Sequence, residues 1–480
     1  MSKCCDHEIC GLDDAADPEA GFCILHSKNP AKDPSAFAEA LLAHRATHGE
    51  IFSRMVFPGP TDFTGAIFAT PAFFYGVLFL GSADFTGATF QDAAFFHGAT
   101  FCARADFTWA SFEEAATFAR GVFMRAATFT AVTFGRGATF AGTAFMQEGT
   151  FHDATFLGDM DVSGARFEGA ASFSRVAFHD PAVFDLALFH GPAAFCRTRF
   201  LKAASFTSTQ FQGGADFEET EFTGRKAGFS GCVFGGRTRF IGRRDGARIE
   251  LIFSDTDVDF RTVRADSPGT LWFSEADLRK CRLLDSDLRR FRLTRVIWPA
   301  VVSRWEVRAG VYDEIVRLQA GEARPWSRIQ RLYHDLKRRC EVEGEYERAG
   351  EFHYGEREMQ RKNPATPPGL RSLLTLSWAT WGHGERFLRP WGWAALLLAF
   401  STLGYLALGL VSRDGGRALT AVRPFEWVQA GHYALQTMTL VGTEELAPLG
   451  AAKGIQTAER LLGPLLIGLG LLAIRRRLRW

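Results

Sequence analysis

Three cysteines and a histidine near the start of the chain, Cys5, Cys10, Cys23 and His26, read C-x4-C-x12-C-x2-H. Two close pairs of thiolate or imidazole ligands are what a tetrahedral structural zinc site requires. A short segment with little core of its own would gain its fold from the metal. Cys4 and His7 compete as ligands, and the alternative is a set of surface thiols in a disordered tail. The remaining cysteines, Cys102, Cys196, Cys232, Cys281 and Cys340, are scattered, and the total of nine is odd. That is not a secreted disulfide framework. The opening MSKCCDHEIC lacks the apolar stretch of a signal peptide, so a reducing, cytosolic setting is expected for this part. No serine sits in a nucleophile elbow, no glycine loop precedes a helix as a phosphate cradle, and no histidine pair has hydrolase spacing; an enzyme is not expected.

The elements that must position these residues are announced by phenylalanine. The chain has 46 Phe against 7 Tyr. From Phe52 the steps alternate five and six: Phe57, Phe63, Phe68, Phe74, Phe79, Phe85, and so on to Phe217 and Phe222. Of the 32 lattice positions 31 are Phe, the exception being Val162. An extra residue near Lys226 shifts the register, and Phe229, Phe234 and Phe240 continue it. Two residues before each Phe stands mostly Ala, Gly or Thr. In extended chain such a pair points to one side, so both are expected inside. A corner every five or six residues gives a coil with four short sides and 22 residues per turn. Single coils cannot bury their rings, whereas a stack can. The lattice predicts roughly nine coils and a rod of about 40 Å. His97, His152, His179 and His190 each follow a lattice position by one, which places them unpaired at corners or outer faces.

This pattern resembles the pentapeptide-repeat family, A-(D/N)-L/F-x-x. The strict form stands at Ala276-Asp277-Leu278, Cys281–Leu283, Ser286-Asp287-Leu288 and Leu293. The resemblance implies a right-handed quadrilateral β-helix over residues 51–300, with a last coil after an irregular stretch at 241–272. The six-residue steps predict a bulge or longer corner on alternate sides. Similar Cys/His caps precede some proteins of this family, which gives residues 1–50 the role of an N-terminal cap. Within it, Phe37, Ala40, Leu41 and His44 predict a short helix closing the end of the rod.

Past Trp305 the period turns helical. Ile329, Leu332, Tyr333, Leu336 and Cys340, then Tyr346, Ala349, Phe352 and Tyr354 across Gly344, predict an antiparallel helix pair in a connector at 301–364. Its charges, Arg338, Arg339, Glu341, Glu343, Arg348 and Glu351, are expected on a solvated face. Residues 365–480 read as a two-span membrane domain. Trp391 to Val411 holds no charge over 21 positions, about 31 Å of helix. Leu461 to Ile474 spans if extended back to Gly454, with Glu459 and Arg460 facing protein or a cavity. Leu373 to Trp381 is expected to lie at the interface. Arg475, Arg476, Arg477 and Arg479 place the C-terminus in the cytosol, and two spans place the N-terminus there too. The expected location is the cytoplasmic membrane.

Between the spans, Trp427 to Met438 predicts a short apolar helix in which His432 is packed. Thr439, Leu440, Val441, Gly442, Thr443, Glu444 and Glu445 follow, then Pro448. Span, short helix, loop, span resembles the two-helix potassium-channel pore, and the loop resembles its filter T-T-V-G-Y-G-D. Thr439, Val441, Gly442 and Glu445 match; Leu440, Thr443 and Glu444 replace a threonine, the tyrosine and a glycine. The resemblance implies a homotetramer, and rings of Glu444 and Glu445 would favour cations. The functional expectation is a membrane protein with a degenerate, cation-conducting pore domain and a cytosolic rod that binds a protein partner. The alternative is a non-conducting, membrane-anchored scaffold. Some pentapeptide-repeat proteins mimic DNA and inhibit topoisomerase, but that needs a strongly acidic rod. Here net charge is +1 and the acids of the rod are nearly matched by bases, so no nucleic-acid role is expected.

Overall fold

A computed structural model describes residues 15–17, 22–245, 248–267, 269–303, 306–317, 322–412, 419, 423–442 and 446–478. The chain divides into two compact units, Met1–Arg317 and Leu318–Trp480.

The first unit is a four-sided parallel β-solenoid of about 11 turns built from the repeats. Each side is one parallel sheet. They begin at Val56–Phe57, Thr61–Asp62, Ile67–Phe68 and Ala72–Phe73, and hold 10, 11, 8 and 10 strands. Most strands are two residues long because a corner follows at once. Register is one coil per rung: Thr100 faces Val122, and Ala105 faces Ala127. The lattice rings fill the bore. Phe74 lies 4.5 Å from Phe96 at 2°, and Phe107 lies 4.9 Å from Phe129 at 2°. Rings on neighbouring sides meet edge to face, as Phe96 does Phe107 at 5.7 Å and 89°. Burying each ring contributes about 1.5–3 kcal/mol before entropy is subtracted. The small residue two before each ring is also inside, as expected: Ala83, Ala88, Ala94 and Ala99 are all buried. At several coils it is Thr, and the hydroxyl bonds a carbonyl of the coil below, Thr198 to Phe173 O at 2.6 Å and Thr220 to Phe195 O at 2.7 Å.

The alternating step length is a difference in corners. After Phe90 a three-residue corner, 91–93, leads to Ala94; after Phe96 a two-residue turn, 97–98, leads to Ala99. That second corner puts one residue at positive φ every eleven residues from Arg54 to Glu219. Trp109, Arg120, Ala131, Leu186 and Ser208 hold it at 54–61° without being glycine. Side chains rarely adopt this conformation, at a cost of about 1–2 kcal/mol each.

The stretch 241–272 is not an interruption, contrary to the sequence reading. A hairpin, Arg243–Asp245 with Arg248–Glu250, is inserted in one coil, and the solenoid continues through Asp257–Asp259 and Leu271–Ser274 to Phe291–Thr294. Phe260 stacks on Phe229 at 4.8 Å and Phe273 on Phe240 at 5.0 Å. The insertion hides the period in the sequence while these two ring columns continue; on a third side Phe234 meets Ala265 and the column of rings ends. The side that begins at Ile67 stops at Glu221–Phe222 for the same reason.

Helix α1 (Pro34–His48) closes the first coil. Asp33 caps it by accepting the Ser35 N–H, and Gly49 ends it. Phe37 meets Phe57 edge-on at 5.4 Å. At the other end a hairpin (Ala300–Val302 with Val307–Ala309) and the single-turn α2 (Tyr312–Ile315) follow the last coil. Trp305, where the helical period was read to begin, lies outside the described residues. Helix proper starts at Trp326.

The second unit is helical. Helices α3 (Trp326–Glu343) and α4 (Tyr346–Lys362) form the antiparallel pair, turning on Gly344 in the left-handed conformation. Ser327 reaches Asn363 and His334 reaches Glu356. Not all of the pair's charges are solvated: Arg339 is largely buried and pairs with Glu343, and Glu351 pairs with Arg386 at 2.8 Å. Helix α5 (Pro368–Trp381) is too short to cross a bilayer and exposes Leu370, Leu373 and Leu376. Helices α6 (Leu388–Leu408), α7 (Pro424–Met438) and α8 (Ala452–Leu478) complete the unit.

Candidate functional site

The bundle of α6, α7 and α8 is where the sequence placed its pore-like residues. Helix α6 forms because a charge-free run of Leu, Ala and Gly has nothing to interrupt it. Helix α8 is apolar from Leu461 to Ile474 and carries Pro464 inside it, which removes one backbone donor. Both are long and apolar enough to cross a membrane, and in each only 22% of the most apolar window is buried. Trp393, Leu396, Phe400 and Leu403 on α6 and Leu461, Leu465 and Leu471 on α8 are exposed.

The two helices run antiparallel. Gly404, near the end of α6, meets Ile455 near the start of α8, and Gly470 meets Trp391 at the opposite end. A Cβ at Gly404 would sit 2.3 Å from Ile455 Cδ1. Helix α7 enters between them from the end where α6 finishes. Its Gly431 lies beside Thr402, and its last residue, Met438, lies against Gly463. Gly463 is about 16 Å along α8 from its start, roughly half a bilayer core. The chain then returns. Leu446–Pro448 pairs antiparallel with Leu410–Ser412, directly after α6, with Leu410 opposite Pro448. Helix α7 therefore ends beside the middle of α8, and Leu446–Pro448 lies back beside the end of α6.

Four of the seven filter-like residues are described. Thr439, Leu440, Val441 and Gly442 are all exposed at the tip of α7. They wrap the helix end. The Thr439 hydroxyl donates to Leu435 O at 2.8 Å, and the Val441 N–H donates to Gln436 O at 2.9 Å. Leu440 takes the left-handed turn, φ 58°, that glycine usually supplies at a helix C-terminus. Thr443, Glu444 and Glu445 lie outside the described residues. His432 was expected to be packed; it is exposed and lines an apolar groove of about 590 Å³ with Leu398, Thr402, Trp427 and Val428. The faces of α6 and α7 simply do not close over it.

Glu459 faces protein, as read, and is fully buried; Arg460 is exposed. The Tyr405 hydroxyl donates to Glu459 Oε2 at 2.8 Å, Gln456 Nε2 donates to the Tyr433 hydroxyl at 2.7 Å, and the two tyrosine rings meet edge-on at 5.1 Å. Sequence reasoning counted Tyr433 only as an apolar residue of the short helix and passed over Tyr405. Their signal was available: two of only seven Tyr stand in apolar runs, where a buried phenol needs a polar partner.

At the solenoid's N-terminal end the structure brings together half of the predicted zinc set. Cys23 is buried, with Sγ 3.0 Å from His26 Nδ1, and His26 Nε2 lies 3.4 Å from Ser53 O. A carbonyl can only accept, so Nε2 is the nitrogen that donates to Ser53, and Nδ1 is the one that faces Cys23. A metal-binding imidazole is held in the same way, its second nitrogen on a carbonyl. Cys5 and Cys10 lie outside the described residues. Among the described residues no three His, Cys, Asp or Glu side chains form a metal set. Next to Cys23, the buried Lys32 ammonium donates to Ile24 O at 2.7 Å and Ser27 O at 3.1 Å.

The histidines of the solenoid are not all unpaired, contrary to expectation. His152 lies 3.4 Å from Asp153, His190 lies 3.7 Å from Glu168, and His97 stacks on Tyr75 at 5.3 Å. Stacking places residues 22 apart side by side, which a reading of single coils overlooks. The same geometry ties Arg175 to Asp153 and Arg197 to Glu219, each at 2.7 Å.

Comparison with known proteins locates the repeats. Residues 52–100 and 163–210 match the family described as Pentapeptide repeats (9 copies). No curated protein and no solved structure matches the chain.

Proposed function

Starting from a pentapeptide-repeat protein with two helices able to cross a membrane, we propose a membrane pore-loop protein whose copies assemble around residues 439–445. The observation that carries this reading is that α7 ends against Gly463, midway along α8, while Leu446–Pro448 pairs with Leu410–Ser412 at the end of α6. The outward apolar faces of α6 and α8 support a lipid environment, since a soluble core helix would bury them. Irregular chain at such depth is stable only where it lines a cavity or meets another subunit. A tetramer would put four such tips on one axis, with Glu444 and Glu445 as acidic rings that favour cations. Arg475, Arg476 and Arg477 keep the end of α8 cytosolic, and the solenoid with it. The solenoid then serves as an interaction rod for a protein partner, with acids and bases interleaved along its corners.

Liposome flux of the purified chain is the test. Cation flux that falls on Glu444→Ala supports the reading. A second reading, a silent membrane scaffold, is favoured by the Thr439 hydroxyl being engaged by Leu435 and by Leu440 in the helix cap. A stable oligomer without flux would select it.

The Cys23–His26 pair supports a zinc cap completed by Cys5 and Cys10. Metal analysis of the wild type should give one zinc per chain, lost on Cys23→Ser. A metal-free wild type purified without chelator would discard the cap.

A further inference from the structure

Two buried oxygens in the three-helix core make no hydrogen bond of ordinary geometry among the described residues. Glu459 uses one carboxylate oxygen for Tyr405; its Oε1 has no hydrogen-bond partner among the described residues. Thr437 Oγ1, on α7 and 1% exposed, has none either. These atoms belong to one cluster. Ser401 lies beside the Glu459 carboxyl, and Thr437 lies beside the Tyr405 hydroxyl. So α6 supplies Ser401 and Tyr405, α7 supplies Thr437 and α8 supplies Glu459. Every donor is oxygen, and three helices converge on it.

The charge balance indicates what belongs there. Among the described residues no basic side chain pairs with Glu459, and Arg460 and Lys453 on the same helix are exposed. Thr437 stands in the last turn of α7, so the negative end of that helix dipole adds to the carboxylate. A buried charge left unpaired costs several kcal/mol. One carboxylate among neutral hydroxyls is neutralised by a single positive charge, a proton or a monovalent ion that competes with it, whereas a divalent ion would leave a buried excess. Hard oxygen donors suit alkali and alkaline-earth cations rather than soft metals.

We propose that Glu459 Oε1, Thr437 Oγ1, Ser401 Oγ and Tyr405 Oη hold one monovalent alkali cation, which ties α7 to both long helices. The site lies behind α7, apart from the tip at Thr439–Gly442. This inference rests on the membrane reading only for the dryness of the surroundings. Bound to the native fold alone, the ion raises stability by mass action.

The test is thermal unfolding of the full chain in detergent, followed by tryptophan fluorescence, in sodium, potassium and choline chloride at one ionic strength. A melting temperature several degrees higher in sodium or potassium than in choline is expected. Glu459→Gln should abolish the difference, and Thr437→Val should shift the cation midpoint about tenfold, as loss of one supporting oxygen does. If Glu459→Gln does not fold, the wild-type titration and Ser401→Ala still decide. Equal melting in all three salts, or an undiminished difference in Glu459→Gln, overturns the site. Carbonate extraction of membranes from expressing cells reads the membrane assignment separately. A washed-off chain with a sodium-dependent melt would remove that assignment and leave the site standing.

Discussion

Val162 is the one gap in the phenylalanine lattice, and its neighbour Met160 fills it. Two residues before a lattice position the chain has Ala in the coils below and above, Ala138 and Ala182; here it has Met160. Both Met160 and Val162 are buried within 1%. The ring column under Val162 ends at Phe140, which stacks on Phe118 at 4.9 Å, and resumes at Phe184, which stacks on Phe206 at 4.8 Å. A long flexible thioether thus occupies space that a ring would take, and the pair together roughly conserves volume. Met160→Ala alone opens a cavity and should cost about 2–5 kcal/mol. Val162→Phe alone adds a ring beside Met160 and should cost about 1–3 kcal/mol by overpacking. The double variant rebuilds the ordinary Ala-x-Phe coil and regains both stacking neighbours. It should fall within about 1 kcal/mol of wild type, a coupling of about 2 kcal/mol or more between the sites. Native-state hydrogen exchange of the full chain, comparing peptides across residues 151–178 with those across 85–112, reads the local opening energy. Exchange in the double variant that equals the sum of the single effects would refute the compensation.

Other outcomes follow from the same geometry. Leu186→Gly, at φ 59° and 69% exposed, should stabilise its coil by about 0.5–1 kcal/mol, because the strain it relieves exceeds the chain entropy it adds; unchanged or faster exchange there would contradict this. Thr198→Val deletes the hydroxyl bonded to Phe173 O and should cost only about 1 kcal/mol, since Val176 occupies the equivalent place one coil below; a loss above 3 kcal/mol in chemical denaturation would show a larger role. In the connector, burial alone would raise the Glu356 carboxyl, but the His353 ring 3.8 Å away, the His334 bond at 3.0 Å and the charge of Lys337 outweigh it and hold it at about 2. The folded value lies below the unfolded one of 4.5. The carboxylate therefore stabilises the α3–α4 pair at neutral pH, and that contribution is lost as pH falls from about 4.5 to 2, of order 1–3 kcal/mol. Circular dichroism of Glu356→Gln should show a lower neutral stability and a flatter acid limb.

The solenoid was legible because one slot is refilled many times, so a spacing rule alone fixes coil, side and interior. The corner asymmetry was legible from the alternation of five and six. Legibility failed where information is not periodic. The hairpin at 243–250 displaced the count and made 241–272 read as irregular, although Phe253, Phe260 and Phe273 still reach the bore. Met160 was passed over because compensation needs a second residue to be judged with Val162. The pairs His190–Glu168 and Arg197–Glu219 arise only once coils are stacked. In the helical unit, the two long apolar helices and the short one were visible as apolar runs. The strand pair of Leu410–Ser412 with Leu446–Pro448 was not, because three-residue strands leave no pattern. The partner of Glu459 came from another helix, Tyr405, and hydropathy carries no record of such meetings.

Since each rung repeats its neighbour after 22 residues, the rod is a ruler with fixed graduations. Adding or deleting one rung would move its far end by about 4.8 Å and leave every surviving joint as it was. Removing eleven residues would instead turn everything beyond the cut by half a revolution while matching like corner to like corner. The length of such a rod, and the direction in which its far face looks, can therefore be changed independently of what either end is attached to.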